Sequence, residues 1–106
     1  MIKAQDIGLK QEELNSLLSI FESNSKIESA ILFGSRVLGT YKNGSDIDIV
    51  IQGNYSHKDW LDLMIEIDEL DLPYMFDIIK YEKIDNPNLI SHIQRVGKFL
   101  HNKKSG

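Results

Sequence analysis

Two apolar segments, residues 27–33 and 46–52, frame the part of the sequence that most constrains how the chain can fold. The first segment ends at Gly34, and the second begins with an Asp-Ile-Asp sequence. Because side chains alternate between the two faces of a strand, Asp46 and Asp48 share one face. A carboxylate in a buried strand is costly unless a positive group lies against it. The stretch therefore predicts two strands that present charge at one edge of a sheet.

Regular periodicities fill most of the remaining sequence. Apolar residues between positions 14 and 21 recur at helical spacing, and Ser56 with Asp59 forms a capping-box pattern at the start of another helix. The predicted elements are helices over residues 9–22, 56–72 and 86–100 and strands over residues 27–33, 46–52 and 74–81. Their order, α-β-β-α-β-α, predicts an α+β fold in which helices pack on a small mixed β-sheet.

Length and composition limit what such a fold can do. The chain has 106 residues, and we expect a single domain over 1–106, with a core over about 9–100 and a polar tail over 101–106. A formal net charge of −4 argues against nonspecific electrostatic binding to nucleic acid or to an anionic membrane. The absence of cysteine excludes disulfides and thiolate metal sites. With no secretory pattern and no apolar run of about 20 residues, we expect a cytoplasmic protein.

A third aspartate, Asp77, lies in the predicted third strand. If that strand neighbours the second, Asp77 lies beside Asp46 and Asp48. Three carboxylates at one sheet edge repel one another and stay ionised at neutral pH only where a divalent cation or a similar charge offsets the repulsion. Such hard oxygen ligands suit Mg²⁺ or Mn²⁺. The alternative is that Asp-x-Asp is merely solvated after a turn at Asn43-Gly44, which we favour if the pair stands alone.

The Gly34-Ser35 pair supplies what the carboxylates lack. A strand that ends there and turns into a short helix directs free backbone N–H groups at a ligand, and such groups favour phosphate. Ser35 adds a hydroxyl donor, Arg36 can add a nearby cation, and Gly39 would end the short turn. The alternative is an ordinary turn with a surface arginine. A phosphate cradle and acidic residues on successive strands are more specific together than either is alone.

The stretch GSRVLGTYKNGSDIDIVI resembles the signature of the DNA polymerase β-like nucleotidyltransferase superfamily, with its palm-like fold. More narrowly, residues 9–100 resemble the minimal nucleotidyltransferases (MNT) that pair with all-helical HEPN-type proteins. The resemblance implies that Gly34 and Ser35 hold the nucleotide phosphates, with Arg36 nearby. It implies that Asp46, Asp48 and Asp77 are catalytic and bind two Mg²⁺ ions, with Mn²⁺ as a substitute. Many minimal members read Gly-Ser-x-Ala-Arg-Gly, whereas Val-Leu precedes the last glycine here.

The same resemblance implies a reaction and a partner. An MNT antitoxin moves AMP from ATP onto a tyrosine of its HEPN-type toxin, which is encoded nearby. We expect no second domain to present the acceptor, so another polypeptide or a second copy of the chain supplies that surface. Candidate contacts are Leu38, Tyr41, Tyr55 and residues 71–75. One alternative is an antitoxin that neutralises its partner by contact alone. Another is an antibiotic-modifying nucleotidyltransferase. Nothing in the sequence selects adenine over guanine.

Overall fold

The computed structural model describes residues 2–42 and 44–103 as four strands, four α-helices and two short 3₁₀ helices. The strands are β1 (Ile27–Phe33), β2 (Ile47–Gly53), β3 (Phe76–Lys80) and β4 (Lys98–Asn102). The α-helices are α1 (Gln11–Ser23), α2 (Ser35–Leu38), α3 (His57–Glu69) and α4 (Pro87–Val96). The 3₁₀ helices are Ala4–Ile7 and Tyr81–Lys83. Within the described residues, no helix is both long and apolar enough to cross a membrane.

All four strands belong to one sheet in the order β3-β2-β1-β4. β1 pairs antiparallel with both β2 and β4, whereas β2 and β3 are parallel. A parallel pair needs a crossover connection, and α3 supplies it between β2 and β3. The predicted α+β class with a mixed sheet is therefore confirmed.

The core explains why the charged residue of β2 lies at its start. Ile47, Ile49 and Ile51 are fully buried in a cluster with side chains of α1 and α3. Val50 is fully buried on the opposite face, in a cluster with Ile93 of α4. β2 therefore lies between helices on both faces of the sheet, and its position in the middle of the domain fixes where its first residues lie.

The capping pattern at Ser56 is confirmed, because Ser56 and Asp59 exchange hydrogen bonds at the start of α3. Of the predicted Asn43-Gly44 turn, Asn43 lies outside the described residues, while Gly44 has a φ of 87°. Residues 104–106 of the predicted tail also lie outside them.

The end of the chain differs from the prediction. The last helix ends at Val96, and residues 98–102 form β4, which the predicted order lacks. Leu100 is buried in that strand, and His101, expected in a polar tail, pairs with Ala30 of β1. Helical spacing from position 89 to Leu100 predicts a continuous helix, but the edge of β1 offers backbone partners that the sequence pattern does not reveal.

Candidate active site

Strand register brings two of the predicted carboxylates together. In the parallel β2–β3 pair, Asp48 lies opposite Asp77, and in the antiparallel β1–β2 pair it lies opposite Phe33. Asp48 therefore occupies the middle strand, between Asp77 and the end of β1. Asp46 lies two residues earlier, just before β2 begins, and the backbone N–H of Ile47 donates to the carbonyl of Met75. These contacts place the three aspartates at one end of the sheet.

Gly34 lies directly against Asp48. A Cβ atom added at Gly34 would overlap the Asp48 carboxylate oxygen Oδ2 and would come within 3.2 Å of its Cγ. Gly34 also has φ 81° and ψ −155°, a conformation essentially restricted to glycine. Both the space and the backbone conformation therefore require glycine at this position. The end of β1 and the first carboxylate of β2 are in direct contact as a result.

The chain after Gly34 forms the predicted short helix, α2. Ser35 is its first residue, and the backbone N–H of Leu38 donates to the carbonyl of Gly34 over 3.2 Å. Gly39 ends the helix in a left-handed conformation, with φ 79°. We call residues 34–35 the bend. It opens at the same end of the sheet as Asp48, so the structure joins the two halves of the sequence motif.

The three carboxylates interact electrostatically. Burial raises the pKa of the Asp48 carboxyl, and the negative charges of Asp77 and then Asp46 raise it further. Asp48 is half-buried, whereas Asp46 and Asp77 are exposed. Among residues 2–42 and 44–103, no side chain or backbone group forms a hydrogen bond or ion pair with any of these three carboxylates. The site therefore concentrates negative charge that the described part of the chain leaves uncompensated.

The donor set fits a hard divalent cation such as Mg²⁺, because carboxylate oxygens are its preferred protein ligands. A cation there would offset the repulsion that raises the pKa of Asp48. In the described part of the chain, however, no three acidic or histidine side chains are gathered closely enough to hold an ion as they stand. The two Mg²⁺ ions implied by the sequence resemblance therefore remain a prediction.

Arg36 has a different place from the one expected of a phosphate contact. Its side chain is 3% exposed, and its guanidinium donates to the carbonyls of Ser45, Ile7 and Gly8. The group thus points into the protein, and we leave it out of the proposed phosphate contacts. An arginine beside an exposed bend resembles a surface residue in sequence, because the carbonyls that bind it come from distant positions.

Sequence reasoning missed the residues around that guanidinium. The ring of Tyr74 packs on Arg36, and its hydroxyl donates to Glu13 over 2.7 Å. Glu13 is buried and also accepts a hydrogen bond from the backbone N–H of Lys10. Burial raises the pKa of Glu13, but these two hydrogen bonds and the nearby positive charges outweigh burial and lower it. A buried glutamate in an amphipathic helix gave no signal that could have identified this network.

Comparisons with known proteins identify the family and the fold. The family model for polymerase beta nucleotidyltransferases matches residues 15–106. The fold is similar to a chain of a toxin–antitoxin complex crystallised with AMP-PNP, at 23% identity and a TM-score of 0.65, over 87% of this chain and 75% of that one.

A second similar structure is from Shewanella oneidensis, a tri-AMPylated HEPN toxin in complex with its MNT antitoxin. That match has 20% identity and a TM-score of 0.60, and it covers 90% of this chain and 74% of the other. A search of curated proteins found no match. The resemblance deduced from the Gly-Ser and Asp-x-Asp motif is confirmed, and the chain belongs to the polymerase beta nucleotidyltransferase family.

Proposed function

We propose that this chain is a metal-dependent nucleotidyltransferase that moves AMP from ATP onto a hydroxyl group of a protein. The observation that carries the proposal is the contact between the bend and Asp48, with Asp77 opposite on the neighbouring strand. A bound nucleoside triphosphate needs hydrogen-bond donors for its phosphate oxygens and cations that neutralise its negative charge. This end of the sheet offers backbone donors at the bend and carboxylates that attract cations.

In this proposal, Gly34 and Ser35 bind the nucleotide phosphates, and Asp46, Asp48 and Asp77 hold two Mg²⁺ ions. When bound, the ions would neutralise phosphate charge and make the acceptor hydroxyl more acidic. The acceptor oxygen forms a bond to the α-phosphorus, and the bond from that phosphorus to the β-phosphate oxygen breaks, releasing pyrophosphate. Asp77 is exposed and accepts the proton of the acceptor hydroxyl as it attacks. We place this reaction in the cytoplasm, where ATP and Mg²⁺ are available.

We propose a tyrosine of an all-helical HEPN-type toxin, encoded nearby, as the acceptor. Support for a protein acceptor comes from two large apolar side chains next to the site. Leu38 ends α2 with 52% of its surface exposed, and Met75, two residues before Asp77, is 72% exposed. The AMPylated HEPN toxin in the Shewanella oneidensis complex is a further support, since its MNT antitoxin shares this fold.

The experiment is transfer of label from ATP to the neighbouring gene's product. With Mg²⁺ and that protein, label at the α-phosphate of ATP is expected on a partner tyrosine, and label at the γ-phosphate is not. Asp46→Asn and Asp48→Asn are expected to abolish transfer, while Asp85→Asn, at an exposed position away from the motif, should transfer normally. The same assay with the four nucleoside triphosphates identifies the base.

Three outcomes would contradict the proposal or its assigned site. A stable complex without label would favour an antitoxin that acts by contact alone. Label on an aminoglycoside or another small hydroxyl compound, with none on protein, would favour an antibiotic-modifying enzyme. Transfer at the wild-type rate by Asp48→Asn would exclude the assigned site.

A further inference from the structure

Arg36 is a buried cation that forms no ion pair in the described part of the chain, although its charge acts on the nearby buried carboxylate of Glu13. It is 3% exposed, and no carboxylate of residues 2–42 or 44–103 forms an ion pair with it. Burying a charge costs free energy unless hydrogen bonds compensate for it. Backbone carbonyls and two aromatic rings take this role here. The positions of the carbonyls that accept from Arg36 indicate what its burial achieves.

The guanidinium links the two halves of the site. Arg36 is the second residue of α2, directly after the bend. Its Nε and Nη2 atoms both donate to the carbonyl of Ser45, over 3.3 and 2.8 Å, and Ser45 is the residue before Asp46. A single planar side chain therefore holds the start of the Asp46–Asp48 sequence at a fixed separation from the bend.

Other contacts fix the guanidinium itself. Its Nη1 atom donates to the carbonyls of Ile7 and Gly8, over 3.0 and 3.3 Å. The rings of Tyr41 and Tyr74 pack on it, with their centroids 5.2 and 4.9 Å from the central carbon. Cationic groups are attracted to aromatic faces at such distances. Lysine could not reproduce this arrangement, because it lacks the rigid planar fork of donors.

The network also reaches the strand that carries Asp77. Tyr74, whose ring packs on Arg36, directly precedes Met75, and the carbonyl of Met75 accepts the backbone N–H of Ile47. Arg36 thus contacts, directly or through one residue, the segments that carry the bend and all three aspartates.

We propose that Arg36 is a positioning residue that sets the distance between the bend and the Asp46–Asp48 pair. The inference rests on the proposed function, in which the bend binds phosphate and the aspartates bind metal. It assigns Arg36 no contact with the nucleotide. Its effect reaches the nucleotide only through the geometry of the groups that the guanidinium holds.

The test compares Arg36→Lys and Arg36→Gln with Arg95→Lys, a conservative change at an exposed position of α4. Calorimetry measures binding of AMP-PNP with Mg²⁺ without any partner, at a temperature where each variant is fully folded. Both Arg36 variants are expected to bind roughly tenfold more weakly or worse, because small misplacements of binding groups have large effects. Arg95→Lys is expected to bind as the wild type does.

Amide hydrogen exchange without nucleotide supplies a second measurement, independent of the proposed activity. In Arg36→Lys, we expect exchange over residues 34–38 and 44–48 to accelerate at least about tenfold, while β4 exchanges as in the wild type. A merely stabilising role would accelerate exchange throughout the domain and leave the affinity of the folded protein unchanged. That result, or wild-type exchange at the bend, would overturn the inference.

Two further measurements cover the cases in which the Arg36 variants do not fold or the wild type binds no nucleotide. If both Arg36 variants fail to fold, Tyr41→Leu removes one ring from the guanidinium, and the affinity for AMP-PNP is then expected to fall roughly threefold; an unchanged affinity would overturn the inference. If the wild type binds no AMP-PNP and transfers no AMP, the proposed function fails. In that case local exchange in Arg36→Lys still decides whether Arg36 positions the bend.

Discussion

Replacing Asp48 with asparagine removes one charge from the site and nearly preserves the shape of the side chain. Asp48 lies opposite Asp77 in the parallel β2–β3 pair, where neighbouring strands are about 5 Å apart. Two unit charges at that distance repel by about 3 kcal/mol at an effective dielectric constant of 20. Asp77 is exposed, and solvent screening reduces the repulsion to about 1 kcal/mol. We therefore expect the free energy of unfolding of Asp48→Asn at pH 7 to be larger than that of the wild type by about 1 kcal/mol.

Thermal unfolding in metal-free, low-salt buffer measures the gain, which corresponds to about 4 °C in the midpoint for a domain of this size. The pKa of Asp48 is raised in the folded protein by burial and by the charges of Asp77 and Asp46, so the ionised form is the destabilised one. The wild type therefore loses stability relative to the variant as the pH rises through the folded-state pKa. The difference should be complete at neutral pH and absent below the unfolded-state pKa.

The control is Asp85→Asn, at an exposed position, which is expected to change the free energy of unfolding by less than about 0.5 kcal/mol. Added salt should reduce the gain of Asp48→Asn, because it screens the repulsion. A variant no more stable than the wild type, or one whose gain persists at acidic pH, would refute the view that these carboxylates repel one another.

Three further predictions test Gly34, metal binding at Asp48 and the hydrogen bond between Tyr74 and Glu13. Gly34→Ala is expected to lower the free energy of unfolding in urea by about 1–3 kcal/mol and to abolish AMP-PNP binding. Gly39→Ala, at a similar φ but with open space around it, should lower the free energy of unfolding by about 1 kcal/mol and preserve binding. Equal costs with equal binding would disprove the steric argument. Mg²⁺ should raise the thermal midpoint of the wild type more than that of Asp48→Asn; equal shifts would exclude binding at this carboxylate. Tyr74→Phe should lower the free energy of unfolding in urea by about 1 kcal/mol, because the Tyr74 hydroxyl donates a hydrogen bond to Glu13. An unchanged unfolding midpoint would show that this hydrogen bond contributes nothing to stability.

The strands of the site could be predicted because their signals are local. Alternation of side chains in the second segment places Asp46 and Asp48 on one face, and the predicted bounds of the first strand agree with those of β1. The position of Gly34 at the strand end needed only the change from aliphatic residues to Gly-Ser. Asp77 lies opposite Asp48 because β2 and β3 are neighbours, which was the condition of the prediction.

The fourth strand and the environment of Arg36 depend on contacts between distant parts of the chain. Leu100 fits the apolar face of a helix as well as it fits a strand, and the unpaired edge of β1 decides between them. Arg36 binds the carbonyls of Ile7 and Gly8, almost thirty positions earlier. No periodicity or motif within one segment can reveal such partners.

The pairing of β1 with β4 joins residues far apart in sequence, such as Ser29 and Asn102. Until that pairing forms, β1 has an open edge beside the bend, and its unpaired backbone groups could pair with another chain. β2 can pair with β1 much earlier, since the two strands are close in sequence. A newly made chain can therefore assemble its strands β1 and β2 first, and it stays prone to aggregation until its last strand arrives.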